Sequence, residues 1–125
     1  MKVYGITSCS TVKKARAWLD AHGVAYEFVD FKKQPPARSQ LARWIDDLGW
    51  ETVLNRRGTT WRMLGPDVQR SVRDADSATA VMLANPSAIK RPIVESGGEV
   101  LAGFDEAAYA ARFAQSRGTR RAARA

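Results

Sequence analysis

The chain is 125 residues long, 45% hydrophobic and 26% charged, with four Trp, four Phe and three Tyr; that is apolar mass for one compact domain and excludes a multidomain assembly or wholesale disorder. No run approaches the ~18 apolar residues of a membrane span and no long apolar stretch follows the basic start at Lys2, so a soluble, cytoplasmic protein is expected, with no membrane partner. The formal charge of +7 falls to +3 without Arg117, Arg120, Arg121 and Arg124, so residues 116–125 read as a disordered basic tail and nucleic acid is not an expected partner.

In chain order, Lys2 to Ile6 is a short β-rich run, and the small polar residues Thr7 to Thr11 behind it suit a helix start. Val12, Ala15, Trp18 and Leu19 then share one helical face, closed by Gly23. Val24 to Phe31 predicts a second strand, and strand, helix and strand joined this tightly form a right-handed βαβ crossover between parallel strands. Gln34-Pro35-Pro36 interrupts the chain before a helix with its stripe at Leu41, Trp44, Ile45 and Leu48, closed by Gly49.

Trp50 to Asn85 has no strand-like alternation: Gly65-Pro66 breaks it, and Ala75 to Leu83 reads as a helix ending before Asn85-Pro86. A helical insert over about residues 36–88 follows from this. Arg91 to Glu95 and Glu99 to Gly103 flank Ser96-Gly97-Gly98, whose glycines suit a hairpin turn. Asp105 caps a last helix with its face at Ala108, Tyr109, Ala111 and Phe113. The order is β-α-β, helical insert, β-β-α, an α/β domain over residues 1–115. No phosphate-binding glycine loop and no Cys/His cluster occurs, so neither a nucleotide nor a metal is expected.

Cys9 is the chain's one cysteine, which excludes an intramolecular disulfide; any redox cycle must borrow a second thiol. Its position after a strand and at a helix start gives it unsatisfied backbone N–H groups and the positive end of the helix dipole, which favour thiolate over thiol. Lys13 one turn on, and the hydroxyls of Ser10 and Thr11, push in the same direction. A lone cysteine also reads as a small buried hydrophobe, free Cys being among the most buried residue types.

The surrounding residues separate the two. Tyr4-Gly5-Ile6 with Cys9-Ser10-Thr11 and Lys13-Lys14-Ala15, then Leu54-Asn55-Arg56-Arg57-Gly58-Thr59-Thr60-Trp61-Arg62, then Ile89-Lys90-Arg91-Pro92-Ile93, taken in that order, resemble the arsenate reductase (ArsC) family, and its Spx/YffB-like branch most. The resemblance covers residues 1 to about 115 and implies a thioredoxin-like fold with a mixed four-stranded sheet and a helical insert. In arsenate reductases a thiolate after the first strand attacks an arginine-held oxyanion, and a glutathione or glutaredoxin thiol completes the reduction.

Three departures point away from arsenate: Gly5 stands where those enzymes carry a histidine, Gly103-Phe104 where they carry an oxyanion-binding arginine, and Asn55 where an ungapped comparison places another, with Arg57 two residues on. The chain's one histidine, His22, falls near the far end of the first helix. Spx-type regulators, which bind the RNA polymerase α subunit, carry Cys-x-x-Cys as a switch, and Val12 occupies the second position here. What the resemblance then implies is an oxidoreductase, a glutathione-dependent thiol reductase working through Cys9 alone, with no bound cofactor and with glutathione as reducing co-substrate. Arsenate reductase and Spx-like regulator stand as alternatives.

Arg91 is expected to stabilise the thiolate and clamp a glutathione carboxylate, with the Arg91–Pro92 bond cis. Ser10, Thr11, Lys13 and Pro92 are expected beside the substrate, Arg57 and Arg62 across the pocket from the insert. Arg56 reads as solvated, and Thr59-Thr60-Trp61 as packing or capping the insert.

Overall fold

The structure, a computed structural model, describes residues 1–114; the expected basic tail lies outside the described residues. Four short strands, β1 (Lys2–Gly5), β2 (Glu27–Asp30), β3 (Ile93–Ser96) and β4 (Glu99–Ala102), form one sheet in the order β2-β1-β3-β4. β1 pairs with β2 in parallel and with β3 antiparallel, and β3 pairs with β4 antiparallel. The parallel pair is joined through α1 (Ser10–Ala21), and the β3–β4 hairpin turns on Gly97 and Gly98 at φ 57° and 83°, angles that only glycine adopts without strain.

The insert is a chain of short helices: α2 (Arg38–Leu48), α3 (Trp50–Val53), α4 (Thr59–Met63), α5 (Pro66–Ser71) and α6 (Ala75–Ala84), ending in a 3₁₀ turn at Pro86–Ala88. Where the sequence reads only as unpatterned between Gly49 and Ala75, three helices of one to two turns form, too short for a periodic stripe to show. Asn55 N–H to Ala88 carbonyl at 2.8 Å, Lys90 N–H to Val53 carbonyl at 2.7 Å, and a Leu54–Ile89 bridge fasten the insert to the segment leading into β3. α7 (Glu106–Tyr109), capped by the Asp105 carboxylate accepting from the Ala107 and Ala108 amides, runs into a π-helical turn at Ala110–Ala114.

Alternation along the strands divides the core, because successive side chains point to opposite faces. Val3 and Val94 pack with Ala15, Trp18, Leu19, Tyr109 and Phe113 from α1 and the C-terminal helix. Tyr4 and Ile93 face the other way, into Leu41, Trp44, Val53, Leu54, Val81 and Met82 of the insert and Ile89 just after it. This is a thioredoxin-like fold in which the insert covers one face of a mixed four-stranded sheet. β2 is four residues shorter than its β-rich sequence run: Val24 to Tyr26 and Phe31 lie outside the strand although they are apolar, because β1 offers only Lys2 to Gly5 as partners. Among the described residues no helix is long and apolar enough to cross a membrane.

Candidate active site

The parallel β1 delivers the chain into a tight loop, where the Cys9 amide donates to the Ile6 carbonyl at 3.2 Å and the Cys9 carbonyl accepts from the Lys13 amide at 3.0 Å, starting α1. Cys9 is thus the N-cap residue, with extended angles (φ −76°, ψ 126°), and its thiol makes no capping hydrogen bond. The half-buried side chain packs at the edge of the insert-side core. Burial pushes the thiol up, but the Val12 and Thr11 amides and the Arg91 guanidinium together outweigh it, and the pKa stands below the ordinary thiol value. An anion at the sulfur receives the orphan donors of the first turn.

Arg91 reaches this sulfur from the opposite side of the chain, from the segment leading into β3. Its Nη1 donates to the Ser87 carbonyl at 2.9 Å, so the 3₁₀ turn at Pro86–Ala88 aims the guanidinium. The following Arg91–Pro92 peptide is cis and Pro92 is buried. Cys9 and Arg91, 82 positions apart in the numbering, are therefore neighbours because β1 and β3 are adjacent in the sheet.

The remaining expected residues are distributed differently. At positions 10 to 12 it is backbone N–H of Thr11 and Val12 that favours the anion; the expected donation from the Ser10 and Thr11 hydroxyls is absent among the described hydrogen bonds, and Ser10 is exposed. Lys13 is exposed and is not among the groups that lower the thiol. Arg57 and Arg62 are exposed on the insert, and Arg62 Nη1 donates to the Arg57 carbonyl at 3.2 Å, while the Arg57 amide donates to Asn55 Oδ1 at 3.2 Å. Arg57 lines a cleft beneath the insert; Arg62 does not. Arg56 is exposed, 3.6 Å from Glu51 and stacked over Trp50, and Trp61 packs against the insert-side core.

Gly5 has a steric reason. A Cβ there would lie 2.7 Å from Val12 Cγ2, so the buried valine at the second position of a would-be Cys-x-x-Cys occupies the room a side chain at position 5 needs. His22 stacks on Trp18 with ring centroids 3.8 Å apart, its Nδ1 2.8 Å from the Trp18 carbonyl, away from the sulfur. Sequence patterning missed the Ser87 carbonyl, since a backbone acceptor leaves no residue signature. It also missed Glu95, which accepts from Tyr4 Oη at 2.8 Å and Trp44 Nε1 at 2.7 Å; an acid directly after the apolar pair Ile93-Val94 was the available signal. Among the described residues no group of His, Cys, Asp and Glu is placed to hold a metal ion.

A half-buried cysteine, its anion favoured by two amides and a tethered arginine, thus stands at the start of the helix that follows the first strand of a thioredoxin-like fold. The sequence model of the ArsC family matches residues 4–112, and the chain belongs to the ArsC family. An uncharacterised protein of Haemophilus influenzae is 40% identical over 112 residues, covering 90% of this chain and 97% of that one. The global transcriptional regulator Spx of Streptococcus mutans is 28% identical, over 79% of this chain and 72% of its own. Among solved structures, one named YffB protein is 51% identical with a TM-score of 0.84, covering 88% of this chain and 96% of that one. An arsenate reductase related protein from Brucella melitensis is 47% identical with a TM-score of 0.71, covering 90% and 92%.

Proposed function

We propose that the protein is a glutathione-dependent thiol reductase with a one-cysteine cycle. The observation that carries this is the setting of Cys9: the chain's one thiol, kept toward its anionic form by the Val12 and Thr11 amides and the Arg91 guanidinium. The thiolate, not the thiol, is the nucleophile in disulfide exchange. In the first step the Cys9 thiolate attacks the glutathionyl sulfur of a mixed disulfide, the substrate's S–S bond breaks, and the substrate sulfur leaves as a thiolate that takes a proton from water. In the second, a glutathione thiolate attacks the Cys9 mixed disulfide, releasing oxidised glutathione and restoring the Cys9 thiolate. Two electrons pass from glutathione to the substrate, and no second protein thiol is needed.

Arg91 favours both the attacking and the departing anion of Cys9 while its other face is held by Ser87. Arg57, with Arg62 bound to its carbonyl, offers positive charge from the insert, and Thr11 contributes its amide at the thiol's end of the site. The test is turnover of a glutathionylated model disulfide in the presence of glutathione. Native protein is expected to turn it over and to be trapped as a one-glutathione adduct when glutathione is withheld; Cys9→Ser is expected to do neither. Equal turnover by Cys9→Ser contradicts the proposal.

The likeness to Spx favours a second reading, a regulator that binds a protein partner. Buried Val12 stands where an intramolecular switch needs cysteine, so regulation would proceed through partner binding alone. Co-purification with the RNA polymerase α subunit, unchanged in Cys9→Ala, is the result that selects it.

A further inference from the structure

Where the ends of β1 and β2 meet the end of the insert lies a small pocket of about 220 Å³, lined by Ile6, Phe31, Lys32, Pro35, Pro86 and Ser87. Of these, Lys32 alone is charged, and four are hydrocarbon side chains. Ile6 and Phe31, 6% and 1% exposed, are its buried floor. Lys32 and Pro35 are exposed at its rim, and Pro86 and Ser87 are half-buried there.

Two of the lining residues are bonded to the thiol's own machinery. The Ile6 carbonyl accepts from the Cys9 amide at 3.2 Å, and the Ser87 carbonyl accepts from Arg91 Nη1 at 2.9 Å. The Cys9 side chain packs against the same apolar cluster that contains Ile6 and Phe31. The pocket is also preformed. Phe31 is pinned by its amide, which donates to the Gly5 carbonyl at 2.8 Å, and by the rings of Tyr4 and Trp44, with centroids 6.2 and 6.1 Å away. The turn that carries Lys32 to Pro35 is closed by Asp30, whose carboxylate accepts from the Lys32 amide and whose carbonyl accepts from the Gln34 amide, each at 2.8 Å. Pro35 and Pro86 add rings of fixed φ, so a side chain that enters meets walls that need little ordering.

We infer that this pocket takes an apolar side chain adjacent in sequence to the cysteine under attack, so that the substrates are glutathionylated polypeptides with an aliphatic or aromatic residue beside the modified cysteine. The inference rests on the thiol-reductase reading and adds to it the class of substrate. Size selects a single side chain: an apolar cavity of about 150 Å³ accepts one benzene, and drug-sized ligands occupy roughly 300–1,000 Å³, with this pocket between the two at about 220 Å³. Its chemistry selects an apolar one, because a polar group placed against Ile6, Phe31 and the two prolines gives up its hydration for hydrocarbon. Its position selects the substrate's polypeptide. In the first step the substrate sulfur leaves from beside Cys9, so the chain that bears it passes the Cys9–Ile6 and Arg91–Ser87 bonds that border the pocket.

The probes are two blocked pentapeptides, Gly-Leu-Cys-Leu-Gly and Gly-Asn-Cys-Asn-Gly, with the cysteine S-methylated so that no exchange takes place. Each is titrated against the isotope-labelled full chain while the backbone amide signals are followed. The leucine peptide is expected to shift the Ile6, Phe31 and Ser87 amides and to bind about tenfold more tightly than the asparagine peptide, the low end of what burying one leucine side chain contributes. Pro35→Glu, at an exposed position, brings a carboxylate to the rim and is expected to abolish that preference; the exposed Lys14→Gln is expected to keep it. The amide spectrum reports whether each variant folds, and Lys32→Glu, also at the exposed rim, carries the test if Pro35→Glu does not. Equal binding of the two peptides, binding of neither, shifts confined to other amides, or an intact preference in the folded rim variant overturns the pocket. Turnover of the mixed disulfide of glutathione and cysteamine, which has no side chain to place, is measured in parallel. Turnover without a leucine preference removes the pocket and leaves the reductase reading, whereas a leucine preference without turnover supports the pocket and removes the reductase reading.

Discussion

At the scale of single residues, the site depends on what backbone and sterics do around one sulfur. The amides that favour the Cys9 anion belong to Thr11 and Val12, and any residue type but proline would supply them; it is the position of Cys9 at the start of α1 that matters. Because its pKa is lower in the folded chain than the ordinary ~8.5, the native state binds fewer protons than the unfolded one over the interval between those values. The stability this contributes is fully present above the unfolded value and is lost as pH falls through the folded one. Native protein is therefore expected to gain stability over Cys9→Ala as pH rises toward ~8.5, in denaturant titrations at matched ionic strength; a constant difference across that window contradicts it. A second residue-scale prediction concerns the Gly5–Val12 contact. Gly5→Ala is expected to destabilise by about 1–3 kcal/mol, the usual cost of overpacking, since its Cβ falls 2.7 Å from Val12 Cγ2. In the Val12→Ala background that added cost is expected to disappear, and additive effects would show that the two positions do not compete for space.

At the scale of elements, helices and strands with their own periodicity were legible and their joints were not. Val12, Ala15, Trp18 and Leu19 all lie on the buried face of α1, and Leu41 and Trp44 on that of α2; a stripe at helical spacing needs only the sequence around it. The expected α6 span and the β3–β4 hairpin likewise match to within a few residues. The short helices α3, α4 and α5 were not separable, because an element of four to six residues is held by its flanking packing and turns rather than by a pattern. The same division runs through the site. Cys9 and Arg91 carried signals in their own neighbourhoods, whereas Ser87 acts through a backbone carbonyl, which leaves no mark in the residue type.

The last helix offers a prediction at this scale: its Asp105 cap and the Tyr109 Oη–Gly103 carbonyl bond at 2.9 Å hold it to the end of β4. Tyr109→Phe is expected to cost about 1 kcal/mol, with more if the Gly103 carbonyl stays dry, and Asp105→Ala about 1 kcal/mol, both read as shifts in denaturation midpoint. Neither change is expected to alter Cys9 reactivity, since neither residue contributes to the thiolate's setting.

For the whole molecule, the insert and the sheet are joined by more than apolar burial. Glu95 on β3 accepts from Tyr4 on β1 and from buried Trp44 on α2, tying two strands and the insert at one carboxylate. Burial, then the bond to Glu95, raises the Tyr4 hydroxyl above its ordinary value. A raised acid contributes stability that is present below the unfolded ~10 and lost as pH climbs past it. Glu95→Leu is expected to cost about 2 kcal/mol or more by leaving two donors without an acceptor. Glu95→Gln, which keeps an acceptor, is expected to cost less, and equal costs would mean that the bonds do not hold the insert. The Arg43–Glu95 contact at 3.8 Å adds little, since Arg43 is 70% exposed.

The architecture brings the chain's one thiol and Arg91 together from distant parts of the sequence. The most direct measurement is the pH dependence of the rate at which a small neutral alkylating reagent modifies Cys9, in native protein and in Arg91→Met. The account predicts a native midpoint below the ordinary thiol value of ~8.5, and an upward movement of that midpoint when the guanidinium is removed. A native midpoint at or above the ordinary value, or one that Arg91→Met leaves in place, contradicts it.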